Sequence, residues 1–206
     1  MRPILLLATS NAGKRRELQA LLGSLPLDLL TPADRRLALD VAEDGADYAA
    51  NASLKARAFA QASGLWTLAD DTGLEVDALG GAPGLHSARV AASDGDRRQR
   101  LLEALTGQPR PWSARFRCVA ALAGPDGSLD LAEGSCPGEI VPWERGEHGF
   151  GYDPIFLVLG TDRTMAELPM PEKNRVSHRA RAIAALLPVL RARLGLDPSG
   201  PPAPAG

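Results

Sequence analysis

The stretch Ala69-Asp70-Asp71-Thr72-Gly73 sets two carboxylates side by side directly after the apolar run Leu65-Trp66-Thr67-Leu68. Apolar residues running into paired carboxylates, then Thr and Gly, read as a strand that ends in a turn. Adjacent like charges repel, and successive strand residues point to opposite faces, so the pair should divide its work rather than share one task. A carboxylate at the lip of a sheet suits a hard cation such as Mg²⁺, and the ends of strands are where substrate-binding loops gather. The same residues also suit a plain acidic turn in which Asp71 caps its own backbone.

Four other stretches offer chemistry. Thr9-Ser10-Asn11-Ala12-Gly13-Lys14 follows an apolar run and precedes a helical pattern, so its N–H groups and Lys14 form an anion cradle. It is not a P-loop, because Ala8 and Arg15 stand where that motif needs Gly and Ser/Thr. Glu43 precedes a helix on which Tyr48, Asn51 and Lys55 share a face; such residues are ordinarily a wet surface. Gly149-Phe150-Gly151-Tyr152-Asp153-Pro154 frames two aromatics with glycines, which suits either a platform for a planar nucleobase or a loop anchored in the core. Lys173 and then Ser177-His178-Arg179 open the last helix, with cations set against the helix dipole at its first turn. Gly134-Ser135-Cys136-Pro137-Gly138 superficially matches a nucleophile elbow, but Pro137 and Gly138 forbid the helix that must follow one.

The elements that must position these residues follow from periodicity. Pro3–Thr9 is continuously apolar and predicts a buried strand. Leu18, Leu21, Leu22 and Leu25 recur at helical spacing, with Pro26 closing the helix. Leu27–Leu30 predicts a second strand, and the alanine-rich stretch from Tyr48 to Ser63 a helix stopped by Gly64. Strand Leu65–Ala69 then delivers the Asp pair, and Leu74-Glu75-Val76 resumes as a short strand. A helix capped by Ser93 or Asp94 carries Leu101, Leu102 and Leu105. Arg115–Ala123 and Ser128–Gly134 flank the hairpin signal Pro125-Asp126-Gly127, and Ile155–Leu159 predicts a further strand. Ser177 caps a last helix that Pro188 should kink. The predicted class is α/β: one unit with antiparallel hairpin additions. Residues 1–195 form one domain, and the Pro/Gly/Ala-rich residues 196–206 a disordered tail.

Composition narrows the function classes. The net charge of −2 supplies no basic field for nucleic acid or an anionic membrane. Cys118 and Cys136 lack metal-ligand spacing, and the three histidines, His86, His148 and His178, form no zinc pattern. Sparse cysteines and an N-terminal apolar run far too short for a signal peptide or membrane span predict a cytoplasmic protein.

Taken in order, TSNAGK at 9–14, Glu43, NASLK at 51–55, ADDTG at 69–73, GGAPGLHSAR at 80–89, GFGYDP at 149–154, Lys173 and SHR at 177–179 resemble the inosine triphosphate pyrophosphatase family. The resemblance runs from the first strand to the last helix. It implies an α/β fold with an elongated mixed sheet and flanking helices, two lobes around a central cleft, and usually a homodimer. It also implies Mg²⁺-dependent hydrolysis of dITP, ITP and XTP between the α and β phosphates, which cleanses the nucleotide pool. Carried onto this chain, it implies that Thr9, Ser10, Asn11, Ala12, Gly13 and Lys14 cradle the triphosphate. Glu43 and Asp71 would hold Mg²⁺, with Asp71 as the general base, and Lys55 would neutralise phosphate charge. Thr72 would touch substrate and Phe150 stack on the nucleobase. Gly151, Tyr152, Asp153, Lys173, His178 and Arg179 would complete the nucleoside pocket. A metal-bound Asp71 is a poor base and would orient water instead, leaving Asp70 open to either role. A pyrophosphatase of modified pyrimidine triphosphates and a non-catalytic nucleotide-binding regulator remain as other readings.

Overall fold

The opening apolar run forms β1 (Ile4–Leu7), whose Leu5, Leu6 and Leu7 are fully buried. A continuous apolar run is what a strand covered on both faces requires. The computed structural model describes residues 2–196. The Pro-rich stretch 197–206, expected to be disordered, lies outside the described residues. Leu196, assigned to that tail by sequence, instead packs against the core beside Leu194.

After β1 come α1 (Ala12–Leu22), β2 (Asp28–Leu30), α2 (Tyr48–Ser63), β3 (Trp66–Val76), β4 (Pro83–Gly84) and α3 (Asp94–Ala104). The long hairpin β5 (Trp112–Ala123) and β6 (Leu129–Ile140) follows, then β7 (Phe156–Val158), α4 (Met170–Val176) and α5 (His178–Leu194). The sheet order is β2-β1-β3-β5-β6-β7, with β4 on β3; β1 runs parallel to β2 and β3, and the remaining pairs are antiparallel. This is the mixed α/β sheet with flanking helices that the family resemblance implies. At one end α1 and α5 pack on one face through Leu18, Leu22, Ile183 and Leu186, and α2 packs on the other through Ala52, Ala56 and Phe59. At the other end Leu101 and Leu105 join Phe116, Ile140, Phe156 and Met165 in a separate core. These ends are the two lobes.

Local chemistry sets most boundaries. Asp47 caps α2 by accepting the Ala50 N–H, and Gly64 ends it in the left-handed conformation, as expected. Ser93 caps α3 and Ser177 caps α5. Helix α1 stops at Leu22, ahead of Pro26, because Gly23 and Ser24 already weaken it. Helix α5 continues through Pro188 to Leu194.

Two differences from the sequence reading bear on the site. The stretch 69–73 is not a turn: β3 runs unbroken from Trp66 to Val76, paired with β5 from Thr67 opposite Ala123 to Val76 opposite Ala114. Likewise β6 continues past Gly134 through Pro137 to Ile140, because β5 pairs with it along that whole length. Gly134 stands where a Cβ would lie 2.1 Å from the His178 carbonyl oxygen, so its bare backbone lets the start of α5 press onto the sheet.

Candidate active site

The pleat of β3 sends neighbouring residues to opposite faces. Leu68 and Leu74, on the Asp70 side, have no exposed surface, and Leu68 joins the core under α1 and α5. Ala69, on the Asp71 side, joins the core under α2. The pair therefore meets two different environments.

Asp70 ends in a dense ionic cluster. Its Oδ2 accepts from Arg179 Nε at 3.1 Å and Nη2 at 3.0 Å, and lies 3.2 Å from Lys14 Nζ. Both the Asp70 and Arg179 side chains are only 1% exposed. Burial pushes the Asp70 carboxyl up, but the charges of Lys14, Arg179 and Lys55 overcome it and hold the group well below the carboxylate range. A carboxylate held that firmly ionised is a counter-charge, not a proton acceptor.

From Arg179 the ionic chain continues to Glu17, then to Lys173 at 2.7 Å, then to Asp153 at 2.6 Å. It joins β3, α1, α4, α5 and the 149–154 loop. Glu17, absent from the sequence-based site, is its hub. The available signal was a carboxylate on the apolar stripe of α1, where Gly13, Leu18 and Leu22 are also buried.

Asp71 is different. Its Oδ1 accepts the Thr72 N–H at 2.9 Å and its Oδ2 accepts Asn51 Nδ2 at 3.0 Å, and no cation pairs with it among the described residues. Asn51 also accepts the Gly45 N–H, so the α2 face that sequence alone reads as wet surface is a positioning device. Lys55, one turn further on, donates to Glu43 Oε1 at 2.5 Å and to the Asp70 carbonyl at 3.1 Å. Lys14 donates to that same carbonyl at 3.3 Å, so two ammonium groups converge on one point beside Asp71.

Glu43 also accepts from Arg89, and its carboxyl lies below its ordinary value because the Lys55 contacts outweigh burial. Among the described residues no three His, Cys, Asp or Glu side chains cluster as a metal cage. A carboxylate without a cation among the described residues, a second carboxylate linked to it through Lys55 and the Asp70 backbone, and phosphate oxygens from a substrate are oxygen donors of the kind that Mg²⁺ takes. Asp71 and Glu43 therefore fit it.

At the strand-to-helix turn, Asn11 caps α1 by accepting the Lys14 N–H at 3.0 Å, and Thr9 Oγ1 accepts the Asn11 N–H. The leading N–H groups of Ala12 and Gly13 have no intrahelical acceptor and suit an anion. Thr9 and Ser10, with Arg15, Glu43 and Lys55, line a cavity of about 650 Å³.

Across Lys14 lies a second pocket, of about 80 Å³, lined by Thr72, Phe116, Phe150, Gly151, Tyr152, Lys173 and His178 among others. Sites for small molecules span roughly 300–1,000 Å³, so this one is closed down. Phe150 closes it: a Cβ on Gly13 would meet its ring at 2.3 Å. Lys173 Nζ and the Arg179 guanidinium lie 5.4 Å and 5.8 Å from the ring centroid. Both aromatics of the loop line this pocket, but Tyr152 is buried and fixed, donating to the Ser87 carbonyl at 3.0 Å. Burial pushes the Tyr152 phenol up to about 12. Thr72 turns its hydroxyl into the ionic cluster, donating to Asp70. Asp153 holds the loop by accepting the Phe150 N–H as well as Lys173.

His178 stacks on Phe116, with centroids 4.7 Å apart, and its Nδ1 has no partner. Burial and then the charges of Arg179 and Lys173 push its pKa well below the ordinary value. The unfolded chain protonates this residue near pH 6.5 and the folded chain does not, so it binds more protons unfolded, and acidification below that pH costs stability. The cost is at most roughly 1.4 kcal/mol per pH unit. His86 and His148 are exposed. Urea midpoints at pH 7.5 and 5.5 should therefore drop in the parent and converge in His178→Gln; an equal drop in both would reject the assignment.

The model of the Ham1 family matches residues 5–189. The dITP/XTP pyrophosphatase of Nostoc sp. strain PCC 7120 is 50% identical over 196 residues, covering 94% of this chain and 97% of that protein. A HAM1 protein from Coxiella burnetii superposes with a TM-score of 0.82 at 40% identity, over 92% of this chain and 99% of that one. The nucleoside-triphosphatase / dITP/XTP pyrophosphatase of Mycobacterium abscessus gives a TM-score of 0.70 at 42% identity, over 90% and 99%.

Proposed function

This chain belongs to the Ham1 family, and from that premise we propose that it hydrolyses noncanonical purine nucleoside triphosphates (dITP, ITP and XTP) to the monophosphate and pyrophosphate. The observation that carries the mechanism is the split Asp pair: Asp70 paired through Oδ2 with Lys14 and Arg179, Asp71 free of cations among the described residues and beside the point where Lys14 and Lys55 converge.

In this reading the N–H groups of Ala12 and Gly13 and the two lysines hold the triphosphate, the lysines leaving Asp70 for the phosphate oxygens as substrate enters. Mg²⁺, held by Asp71 and Glu43, would supply charge neutralisation at those oxygens. Asp71 orients the attacking water, the role that fits a carboxylate shared with a cation. Phe150 swings off Gly13 to pack on the nucleobase. Lys173, His178 and Arg179, with the Gly151–Asp153 segment, form the wall behind it. The homodimer implied by the family resemblance and the cytoplasmic placement read from composition belong to the same proposal. Among the described residues no helix is long and apolar enough to cross a membrane.

Discrimination comes from polar groups that meet a 6-oxo purine. ATP presents an amino group there and leaves buried donors unpaired, which can reject an analogue by about 10⁴–10⁵-fold. Pyrophosphate release from ITP, XTP, GTP and ATP, each with Mg²⁺ and with EDTA, tests the proposal. Metal-dependent release from ITP and XTP with little from ATP is expected. Comparable kcat/KM for ATP and ITP would overturn the pocket assignment, and orthophosphate as product would overturn the reaction.

A further inference from the structure

The first turn of α3 adjoins the nucleoside pocket, yet it lies outside every motif that carries the family resemblance. Its Asp94 Oδ2 accepts the Gly151 N–H at 2.8 Å, and its Arg98 Nη1 donates to the carbonyl of the same Gly151 at 2.9 Å. Residues four apart on a helix share a face, so one turn of α3 grips both backbone groups of one loop residue. Gly151 has φ +63°, a left-handed conformation suited to glycine.

Both gripping side chains are themselves fixed. Asp94 Oδ1 accepts from Arg97 Nη1 at 2.7 Å. Arg98 makes a two-pronged contact with Glu144, at 2.7 Å to Oε1 and 3.0 Å to Oε2. The Gly151 N–H belongs to the peptide that follows Phe150, so its orientation sets the direction from which the Phe150 ring leaves the backbone.

We propose that Asp94 and Arg98 are positioning residues: they hold the Gly151 peptide so that the Phe150 ring can close on the nucleobase. Neither touches the reacting atoms. Arg98 acts through Gly151, and its effect falls on nucleoside binding rather than on phosphoanhydride cleavage. This rests on reading the pocket as a purine nucleoside triphosphate site.

The test compares Arg98→Ala, Arg98→Lys and Glu144→Gln with the parent. Steady-state kinetics with ITP are read beside hydrogen exchange of the 149–153 segment in nucleotide-free protein. Losing one hydrogen bond from a charged donor should raise KM roughly tenfold in Arg98→Ala, with kcat within about twofold. Exchange at 149–153 should quicken in the same variant. Arg98→Lys, which keeps a cationic donor on a long stem, should recover most of the loss, and Glu144→Gln should leave KM within about twofold because only the outer pair is weakened. An unchanged KM with unchanged exchange overturns the proposal. So does a fall in kcat that tracks a lower Tm, or a Glu144→Gln variant that matches Arg98→Ala. If the parent itself releases no pyrophosphate from ITP, the functional reading fails, and the exchange data alone judge the grip on Gly151.

Discussion

Asp71→Asn is expected to lower kcat for ITP by roughly 10²–10³-fold, the range lost when a group that positions a reacting water and stabilises charge is removed. The reason lies in what surrounds the group. Asp71 is the one member of the pair with no cation on it among the described residues, held in place by the Thr72 N–H and the Asn51 amide. An asparagine keeps the shape but loses the charge that a metal or a water proton needs. It also sets one amide against the Asn51 amide, at a cost of about 1–3 kcal/mol in stability. The protein should therefore stay folded while turnover collapses, and the Mg²⁺ concentration needed for residual activity should rise. Pyrophosphate release across a Mg²⁺ titration, with Tm recorded alongside, measures both. A loss of less than about tenfold would remove Asp71 from the chemistry.

The second large effect is on folding. Arg179→Met should destabilise the protein by about 3–5 kcal/mol, the cost of removing one partner from a buried ionic cluster. Arg179 is the common partner of Asp70 and Glu17, both buried carboxylates; without it each keeps its charge but loses its nearest neutralising group. The depressed carboxyls of Asp70 and Glu17 sharpen the expectation. Groups whose folded pKa lies below the unfolded one supply stability that is present above about pH 4 and is lost as the pH falls through the folded values. In Arg179→Met this acid-side loss should shrink, because carboxyls no longer held below their unfolded values have less stability to lose, so the gap to the parent narrows as the pH falls. Urea denaturation from pH 7 to pH 4 reads both quantities. Adding Asp70→Asn to Arg179→Met should recover part of the loss, since the charge left without its partner goes with it. A stability change under about 1 kcal/mol would mean that water already solvates the cluster.

Much of this site was legible in the order of the residues. The helix 48–63 and its caps, the strand-to-helix turn at 9–14, the hairpin about Pro125-Asp126-Gly127 and the Ser177 cap all follow from local chemistry, and local chemistry survives into the fold. Other features do not follow from it. The stretch 69–73 has the composition of a turn and is a strand, because pairing with β5 over its whole length outweighs the preferences of Asp and Gly. The same holds for β6 through Gly134 and Pro137, where residues that ordinarily break strands sit in one because β5 and α5 demand a thin, straight backbone there.

By itself, the sequence determined the α/β class, the identity of nearly all the charged and aromatic groups in the cleft, and the prediction that neighbouring carboxylates would face apart, since a strand's two-residue period requires it. Only the tertiary structure decided which carboxylate is which. Lys14 and Arg179 come from helices distant in sequence from β3, and they pair with Asp70 rather than Asp71 because α1 and α5 cover one face of β3 while α2 covers the other. Electrostatic work depends on distance and burial, and a linear order of residues carries neither.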